Sequence, residues 1–488
     1  MLSAFVLAAA LTADFSQQTG KIRPELHSSG FGPTICGQTE QDLADMKAMG
    51  FKAARTHDWA LVNPNQRVCD YFHIFPLMHL DAKDPKNYVF GPTDYLLKRT
   101  REELGVDVFF RLGTSIEHSG HDIHFNSVIP EDFDKMAEVF AGIVRHYNRG
   151  WADGHKWNIR YWEIWNEPDG VDNMWCLPGG DERRGDRSEE NLAKAEKRRK
   201  SFIDFYVKVL KRLKSEFGDE IKVGGPALCD CIDDYIKDIL EACKAAGVKP
   251  DFISWHGYVN DPMRFNREAE RVRVVLDSFG FTDCELIVNE WHYFGYGDYD
   301  WPDLQRCSDP EVKAKVWTGP RSHNGIRSAC FTLATLANLQ RSKLDQAYYY
   351  GCMHTGNWGF KDAHQAKYKV FYALKLFGDI VKKYPVICAS ESDDPAFTTL
   401  AVKSADGGRQ ALLVVLYGAP SVPAPANDTI SVKGLATDAK ASAVVLNGVQ
   451  NLKRVSCAVK DGKVILRRPD DLEGAVLIEF GETEDASF

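Results

Sequence analysis

Two hydrophobic periods alternate along most of this chain. Eight short apolar runs read as strands: Pro24–Ser28, Ala53–His57, Asp107–Leu112, Tyr161–Glu167, Val223–Ala227, Phe252–Tyr258, Leu286–Glu290 and Ala347–Met353. Between them lie amphipathic stretches of helical period, namely Thr39–Met49, Asp132–His146, Ser201–Phe217, Asp233–Ala246 and Asn324–Arg341. In one of these Phe202, Phe205, Tyr206, Val209 and Leu210 recur at spacings of three and four, which gathers them on one helix face. Strand and helix alternating in this way imply an α/β fold with a parallel sheet, and eight repeats close as a (β/α)8 TIM barrel. The competing doubly wound open sheet more often carries a Gly-rich phosphate turn after its first strand, and none is present here.

The helical period stops near Asp379, and short strands with turn residues between them follow. Thr398–Lys403, Ala411–Tyr417, Thr429–Lys433, Ala443–Leu446, Arg454–Val459, Lys463–Arg467 and Ala475–Phe480 are separated by Ala405-Asp406-Gly407-Gly408, by the Pro-rich stretch Ala419–Pro425, and by Asn447-Gly448 and Asp461-Gly462. This tail predicts a C-terminal β-sandwich domain. The expected division is 16–384 for the barrel and 385–488 for the sandwich, with 1–15 as a strand joining the sandwich sheet. Leu2–Ala13 has a second reading, the apolar core of a signal peptide, although no Lys or Arg precedes it.

Composition narrows the function. A net charge of −9 supplies no basic field for nucleic acid or anionic membrane, so neither is expected as a partner. The run Lys197-Arg198-Arg199-Lys200 follows Glu189, Glu190 and Glu196 and reads as a solvated helix face. No internal apolar run reaches the roughly 20 residues that span a bilayer. The twelve cysteines are scattered, and Cys229 and Cys231 fit neither a zinc knuckle nor a redox pair. Reduced thiols favour the cytoplasm, with secretion or a periplasmic location as the alternative if the N-terminus is a signal remnant. A homo-oligomer is left open.

In a barrel of this kind the chemistry gathers at the C-terminal ends of the strands. Those ends carry His57, Asp58 and Trp59; Glu117 and His118; Asn166 and Glu167; His256 and Tyr258; Glu290, Trp291 and His292; and His354, Asn357 and Trp358. Aromatic faces, polar tips and two carboxylates in one mouth are the wall of a sugar site. Glycosidic hydrolysis needs a proton for the leaving oxygen and negative charge facing the oxocarbenium-like carbon, which two carboxyl groups supply. Glu167 and Glu290 end strands three βα units apart and therefore face one another across the mouth. Pro168 stops the strand and holds Glu167 at the rim. Alternation puts Glu163 inside the barrel, where a carboxylate needs a partner such as Arg55 or Arg111. The same alternation turns Asn166 away from Glu167 unless the strand end twists or bulges. His118, His121 and His124 recur every three residues, but Gly120 and Pro130 interrupt a helix there. A polar substrate-facing loop over 113–130 is the preferred reading, with no metal and no cofactor expected.

The run Tyr161-Trp162-Glu163-Ile164-Trp165-Asn166-Glu167-Pro168-Asp169 resembles the acid/base segment of glycoside hydrolase family 39, which holds β-xylosidases and α-L-iduronidases. Asp70-Tyr71-Phe72-His73-Ile74-Phe75-Pro76, Thr93-Asp94, Gly224-Gly225-Pro226-Ala227, Ser254-Trp255-His256-Gly257-Tyr258 and Asn289-Glu290-Trp291 also match in type and order. The resemblance implies a retaining mechanism with Glu167 as acid/base and Glu290 as nucleophile. It implies that Asn166 holds the 2-hydroxyl and that His57, His256 and Tyr258 are further substrate-binding residues. Asp58, Glu117, Trp291 and Trp358 complete the expected substrate set. The substrate is then an oligosaccharide or glycoside, and the resemblance leaves β-xylosides, other neutral glycosides and α-L-iduronides open. The strand ends carry mostly His, Trp, Tyr and Asn, with Arg55 and Arg111 inside their strands and Lys361 and Arg321 able to reach in only from loops, which favours a neutral sugar, β-D-xylose first. The long loops after the third, fourth and seventh strands favour exo action. Another neutral pyranoside or an α-L-iduronide is the alternative within the fold, and a non-catalytic carbohydrate-binding barrel is the alternative outside it.

Overall fold

The computed structural model describes residues 10–30, 32, 40–57, 59, 68–114, 129–170, 188–294, 322–351, 358–362, 364–418, 427–435, 440–467 and 473–481. Eight parallel strands close a barrel: β2 (Ser28–Ser29), β3 (Ala53–Arg55), β4 (Asp107–Leu112), β5 (Tyr161–Ile164), β6 (Lys222–Leu228), β7 (Phe252–Val259), β8 (Glu285–Tyr293) and β9 (Gln346–Tyr349). β9 pairs back onto β2. Helices follow the strands, among them α1 (Glu40–Met49), α2 (Tyr71–Ile74), α3 (Gly91–Lys98), α4 (Phe133–Arg149), α5 (Glu189–Phe217), α6 (Asp233–Ala245), α7 (Arg264–Phe279), α8 (Ile326–Leu339) and α9 (Lys369–Lys383). The predicted (β/α)8 barrel is borne out. No described helix is long and apolar enough to cross a membrane.

Local chemistry sets several of these boundaries. The Asp132 side chain accepts from the amides of Asp134 and Lys135 and so opens α4, while left-handed Gly150 closes it. The first barrel strand is a correction. Pro24 starts a 3-10 turn over Pro24–Leu26, so the paired strand begins at Ser28 rather than ending there. β5 stops at Ile164, three residues before the expected end, because Trp165 and Glu167 take positive φ of 75° and 45°. β8 runs three residues past Glu290, and β9 ends at Tyr349. The basic run lies within α5. Lys200 pairs with Glu196 as a solvated face would, but Arg199 clamps α6 by pairing with Asp238 and lying 4.5 Å over the Tyr235 ring.

The second unit is one mostly antiparallel sheet of ten strands, in the order β15-β14-β18-β12-β11-β10-β1-β13-β17-β16. β1 (Ala10–Lys21) pairs antiparallel with β10 (Val386–Ser392) and parallel with β13 (Asn427–Lys433). β11 (Phe397–Lys403), β12 (Gln410–Leu416), β14 (Ala441–Leu446), β15 (Asn451–Cys457), β16 (Val459–Lys460), β17 (Lys463–Arg467) and β18 (Gly474–Phe480) complete it. The sheet curls on itself, so that Phe15 of β1 meets Phe480 of β18 at 5.6 Å. The expected sandwich is therefore formed by a single curled sheet. The two faces of β12 bury different things. Leu412, Val414 and Leu416 fill the sheet's own core, while Leu413 and Val415 join the core shared with the barrel helices. Ala419–Pro425 and residues 1–9 lie outside the described residues.

A strand apolar on both faces welds the two units together. Leu413→Ala should therefore cost about 2–5 kcal/mol through the cavity it leaves. It should lower the unfolding temperature of barrel and sheet together in calorimetry. Two separated transitions in the variant, with the barrel's unmoved, would contradict a shared core.

Candidate active site

The barrel interior is filled in layers. Phe109, Phe252, Ile287 and Tyr348 form an apolar floor, with Phe109 5.4 Å from Phe252 and 5.0 Å from Tyr348. Above it sits a charged layer with no exposure to solvent. Arg55 Nε donates to Glu163 at 2.7 Å, one terminal nitrogen donates to Glu290 Oε1 at 2.7 Å, and the other donates to Asn166 Oδ1 at 2.8 Å. The second oxygen of Glu163 accepts from Ser254 Oγ at 2.7 Å and from Asn289 Nδ2 at 2.6 Å. Glu163 is thus an interior anion whose partner is Arg55. Arg111, the other candidate, pairs with Asp70 at 2.5 Å.

Two breaks in strand alternation lift the carboxylates above this layer. On β8, the pairing with β7 slips between Trp255 and His256, so that Asn289 and Glu290 both reach the interior although they are adjacent. On β5, the positive φ of Trp165 and Glu167 twists the strand end. The Trp165 amide bonds the Leu112 carbonyl of β4 at 2.7 Å, and the Glu167 amide bonds the Ala227 carbonyl of β6 at 2.8 Å. The twist turns Asn166 inward to Arg55. Gly225 is what lets β6 come this close, since a Cβ there would stand 2.9 Å from the Ile164 carbonyl oxygen.

His256 joins the two carboxylates. Its Nδ1 lies 2.7 Å from Glu167 Oε1 and 3.3 Å from Glu290 Oε2. One oxygen of each glutamate lies within 4.8 Å of the other. Glu290 also accepts from the Tyr258 hydroxyl at 2.7 Å and has His57 Nε2 at 3.3 Å. The Glu167 side chain is 15% exposed and that of Glu290 is 4% exposed, so Glu167 is the carboxyl nearer to solvent. Burial pushes the Glu290 carboxyl up, opposed by His256 and Arg55 and reinforced by the charge of Glu167. Burial and the Glu290 charge push the Tyr258 phenol far above its ordinary range, which keeps it a donor. The distances of Glu167, His256 and Glu290 would also admit a cation. The Arg55 guanidinium already holds Glu290, and a dication beside it would be repelled.

An aromatic wall stands beside this pair. The Trp358 ring lies 5.5 Å from Tyr258, 5.4 Å from Tyr350 and 4.3 Å from His323, all steeply inclined. His292 and His323 stack at 3.8 Å. Burial drives His292 down to about 3 and His323 well below its usual range, so the stack is uncharged at neutral pH.

The structure thus brings together His57, Asn166, Glu167, His256, Tyr258, Glu290 and Trp358. It does not bring Trp291 to them. The slip in β8 turns that ring outward, where it is buried against Phe265, Phe331 and Tyr349. Asp58, Glu117, His118, His121, His124, His354 and Asn357 lie outside the described residues. Sequence reasoning missed Tyr350, which stands 6.4 Å from His57 and 5.7 Å from Tyr258. Its signal was the Tyr348-Tyr349-Tyr350 run, obscured by carrying the last strand on to Met353.

The resemblance read from the sequence is borne out by comparison with known proteins. The model of glycosyl hydrolases family 39 matches residues 186–271. A β-xylosidase from Geobacillus stearothermophilus is 26% identical over 137 residues, which is 28% of this chain and 22% of that one. A β-xylosidase from Caldicellulosiruptor saccharolyticus is 27% identical over 225 residues, 44% of this chain and 38% of its own length. The aligned segments therefore span less than half of either relative. Among solved structures, a glucosidase from Croceicoccus marinus superposes with a TM-score of 0.70 at 20% identity, covering 98% of this chain and all of that one. An α-L-arabinofuranosidase from Thermotoga maritima gives 0.61 at 14% identity, covering 97% and 99%. These likenesses show the fold.

The raised Glu290 carboxyl makes a stability prediction. Its folded pKa lies above the ordinary 4.5, so its contribution favours folding below that value and is lost as pH rises through the folded pKa. Wild type should therefore lose stability relative to Glu290→Gln as pH is raised from about 4.5 toward 7.5. Urea denaturation of both proteins across that range measures the gap. A gap that stays constant would contradict the assignment.

Proposed function

We propose that this chain, a relative of the glycosyl hydrolases family 39, is a retaining exo-glycosidase with Glu290 as nucleophile and Glu167 as general acid/base. The observation that carries the reading is the short separation of the two carboxyl groups on opposite strands of one mouth, within 4.8 Å between nearest donor atoms. Retaining enzymes hold their carboxyls about 5–5.5 Å apart, whereas inverting ones leave about 6.5–9.5 Å for a water. The inner carboxyl, held by Arg55, Tyr258 and His57, is set to attack the anomeric carbon. The outer one is set to protonate the leaving oxygen and then to deprotonate water. Burial is the main cause that raises Glu290; with the proton on Glu167, the repulsion that adds to it is removed, which favours the ionised nucleophile. The pair therefore works with one shared proton, and activity follows a bell-shaped pH curve.

The proposed sugar is neutral, with β-D-xylose first. A uronate would need a cation at the rim. Among the described residues, the cations considered from the sequence are all held by carboxylates: Arg55 by Glu163 and Glu290, Arg111 by Asp70, and buried Lys361 by Asp42 and Asp45. Arg321 lies outside the described residues. Exo action rests on the long segments after the third, fourth and seventh barrel strands, which also lie largely outside them.

Glu290→Ala should lose nearly all turnover, because no covalent intermediate forms. Glu167→Ala should fall about 10²- to 10⁴-fold on unactivated glycosides. It should keep activity on nitrophenyl substrates and be rescued by azide. Both variants remaining within a few-fold of wild type would end the assignment. Proton NMR should find the retained anomer as first product, and an inverted one would rule the mechanism out. Nitrophenyl β-D-xyloside should be cleaved faster than the glucoside, galactoside, α-L-arabinopyranoside and α-L-iduronide. A preference for the iduronide overturns the neutral sugar, while a preference for another neutral pyranoside overturns xylose alone.

A further inference from the structure

A second group of ligand-type side chains lies where α4 hands over to β5, at the opposite end of that strand from Glu167. One Asp94 oxygen is 3.1 Å from His146 Nε2 and the other is 3.8 Å from His155 Nε2. The three donor atoms all lie within 4.8 Å of one another. The proposed hydrolysis uses none of them.

We propose that Asp94, His146 and His155 form a structural zinc site that ties α3, α4 and the loop into β5 together. Zinc bonds of about 2.0–2.2 Å in a tetrahedron put neighbouring ligand atoms about 3.3–3.5 Å apart. The two measured separations bracket that value, so small side-chain shifts would seat the ion. His146 Nδ1 lies 2.9 Å from the Trp151 carbonyl, which can only accept, so Nδ1 carries the proton. That leaves Nε2, 3.1 Å from the Asp94 carboxylate, as the ring atom that would face the ion. An imidazole whose other nitrogen donates to a backbone carbonyl is the usual form of a metal-bound histidine.

The rings are also held in place before any ion binds. Phe90 stacks on His146 at 3.5 Å, Trp157 stacks on His155 at 3.8 Å, and the two imidazole planes stand at 89°. The connecting loop folds tightly to deliver His155. The His155 amide donates to the His146 carbonyl at 2.6 Å, and Ala152 and Asp153 adopt positive φ of 58° and 56°. A Cβ on Gly154 would sit 2.6 Å from His146 Nδ1, so only glycine admits this approach. His146 is buried, while His155 and Asp94 are 28% and 26% exposed, which leaves an open side for entry and for a water ligand. This departs from the expectation of no metal, and it uses histidines nine residues apart that form no sequence motif.

The test uses the tag-free full chain, stripped with EDTA and titrated with zinc chloride against a chromophoric chelator, and with cobalt chloride for its visible d–d bands. Wild type should take up one ion per chain with tetrahedral cobalt bands, and its melting temperature should rise with zinc and fall with EDTA. His155→Ala and Asp94→Asn should bind at least tenfold more weakly and lose the melting response. Hydrolysis by His155→Ala at 25 °C should stay within twofold of wild type. Wild type without stoichiometric uptake, or His155→Ala with undiminished uptake, would overturn the site. Uptake lost instead on replacing His118 or His121 would also overturn it by placing the ion elsewhere.

Discussion

A single buried guanidinium sets most of the geometry at the barrel mouth. Arg55 has no exposed surface, and its nitrogens meet Glu163, Asn166 and Glu290. Taking such a charge out of water costs several kcal/mol unless its bonds are nearly ideal, and removing one partner of a buried pair costs about 3–5 kcal/mol. The surrounding strands are therefore bound to deliver acceptors at three fixed directions. Glu163 has its other oxygen saturated by Ser254 and Asn289, and it fills only part of the guanidinium's donor set, leaving terminal N–H groups directed toward the mouth. Glu290 and Asn166 accept from those groups and complete the set. The position of Glu290 is dictated from below by Arg55 before any substrate is considered.

This constraint explains why regular strand geometry fails where it does. With strict alternation, Asn289 and Glu290 would point to opposite faces, and so would Asn166 and Glu167. The Arg55 network needs Asn166 and Glu290 inside, and Glu163 needs Asn289. The slip in β8 and the left-handed residues at the end of β5 reconcile these demands. Residues in such conformations cost about 1–3 kcal/mol each and persist when their surroundings over-determine them. Here the Leu112 and Ala227 carbonyls hold the twisted end from both sides.

What was legible in the sequence follows the same line. Periodicity located β3, β4, β6 and β7 to within two residues at each end, because their side chains alternate between the barrel interior and the helix layer. It also found β11 and β12, although their two apolar faces serve different cores. The Trp-Asn-Glu-Pro run marked Glu167 as a strand-end carboxylate, although β5 stops at Ile164 through the left-handed Trp165 and Glu167 rather than at Pro168. Periodicity failed where pairing or backbone conformation decides. A proline turn displaced the first barrel strand, β1 extends to Lys21 through partners far along the chain, and the β8 slip sent Trp291 outward. Tyr350 joined the wall because β9 ended early. None of these has a signature in local hydrophobicity, since each depends on which strand lies alongside.

The electrostatics of the mouth then bear on the division of labour between two identical carboxyl groups. Arg55, Glu163 and Glu290 together carry one net negative charge when both acids are ionised, and Glu167 would add a second within 4.8 Å of the first. Such a pair sheds its last proton reluctantly. The proposed mechanism leaves that proton on Glu167, and the hydrogen bonds of Glu290 support that division. Glu290 accepts from Arg55 and Tyr258, bonds that favour its anion against the effect of its burial. Glu167 stands nearer to water, and in the proposed mechanism its proton passes to the leaving group and returns from solvent. His256, touching both, keeps their separation short enough that the state of one is felt by the other. For the proposed double displacement, the two glutamates differ in that Glu290 alone is anchored from below by the buried arginine, and Glu167 lies closer to solvent.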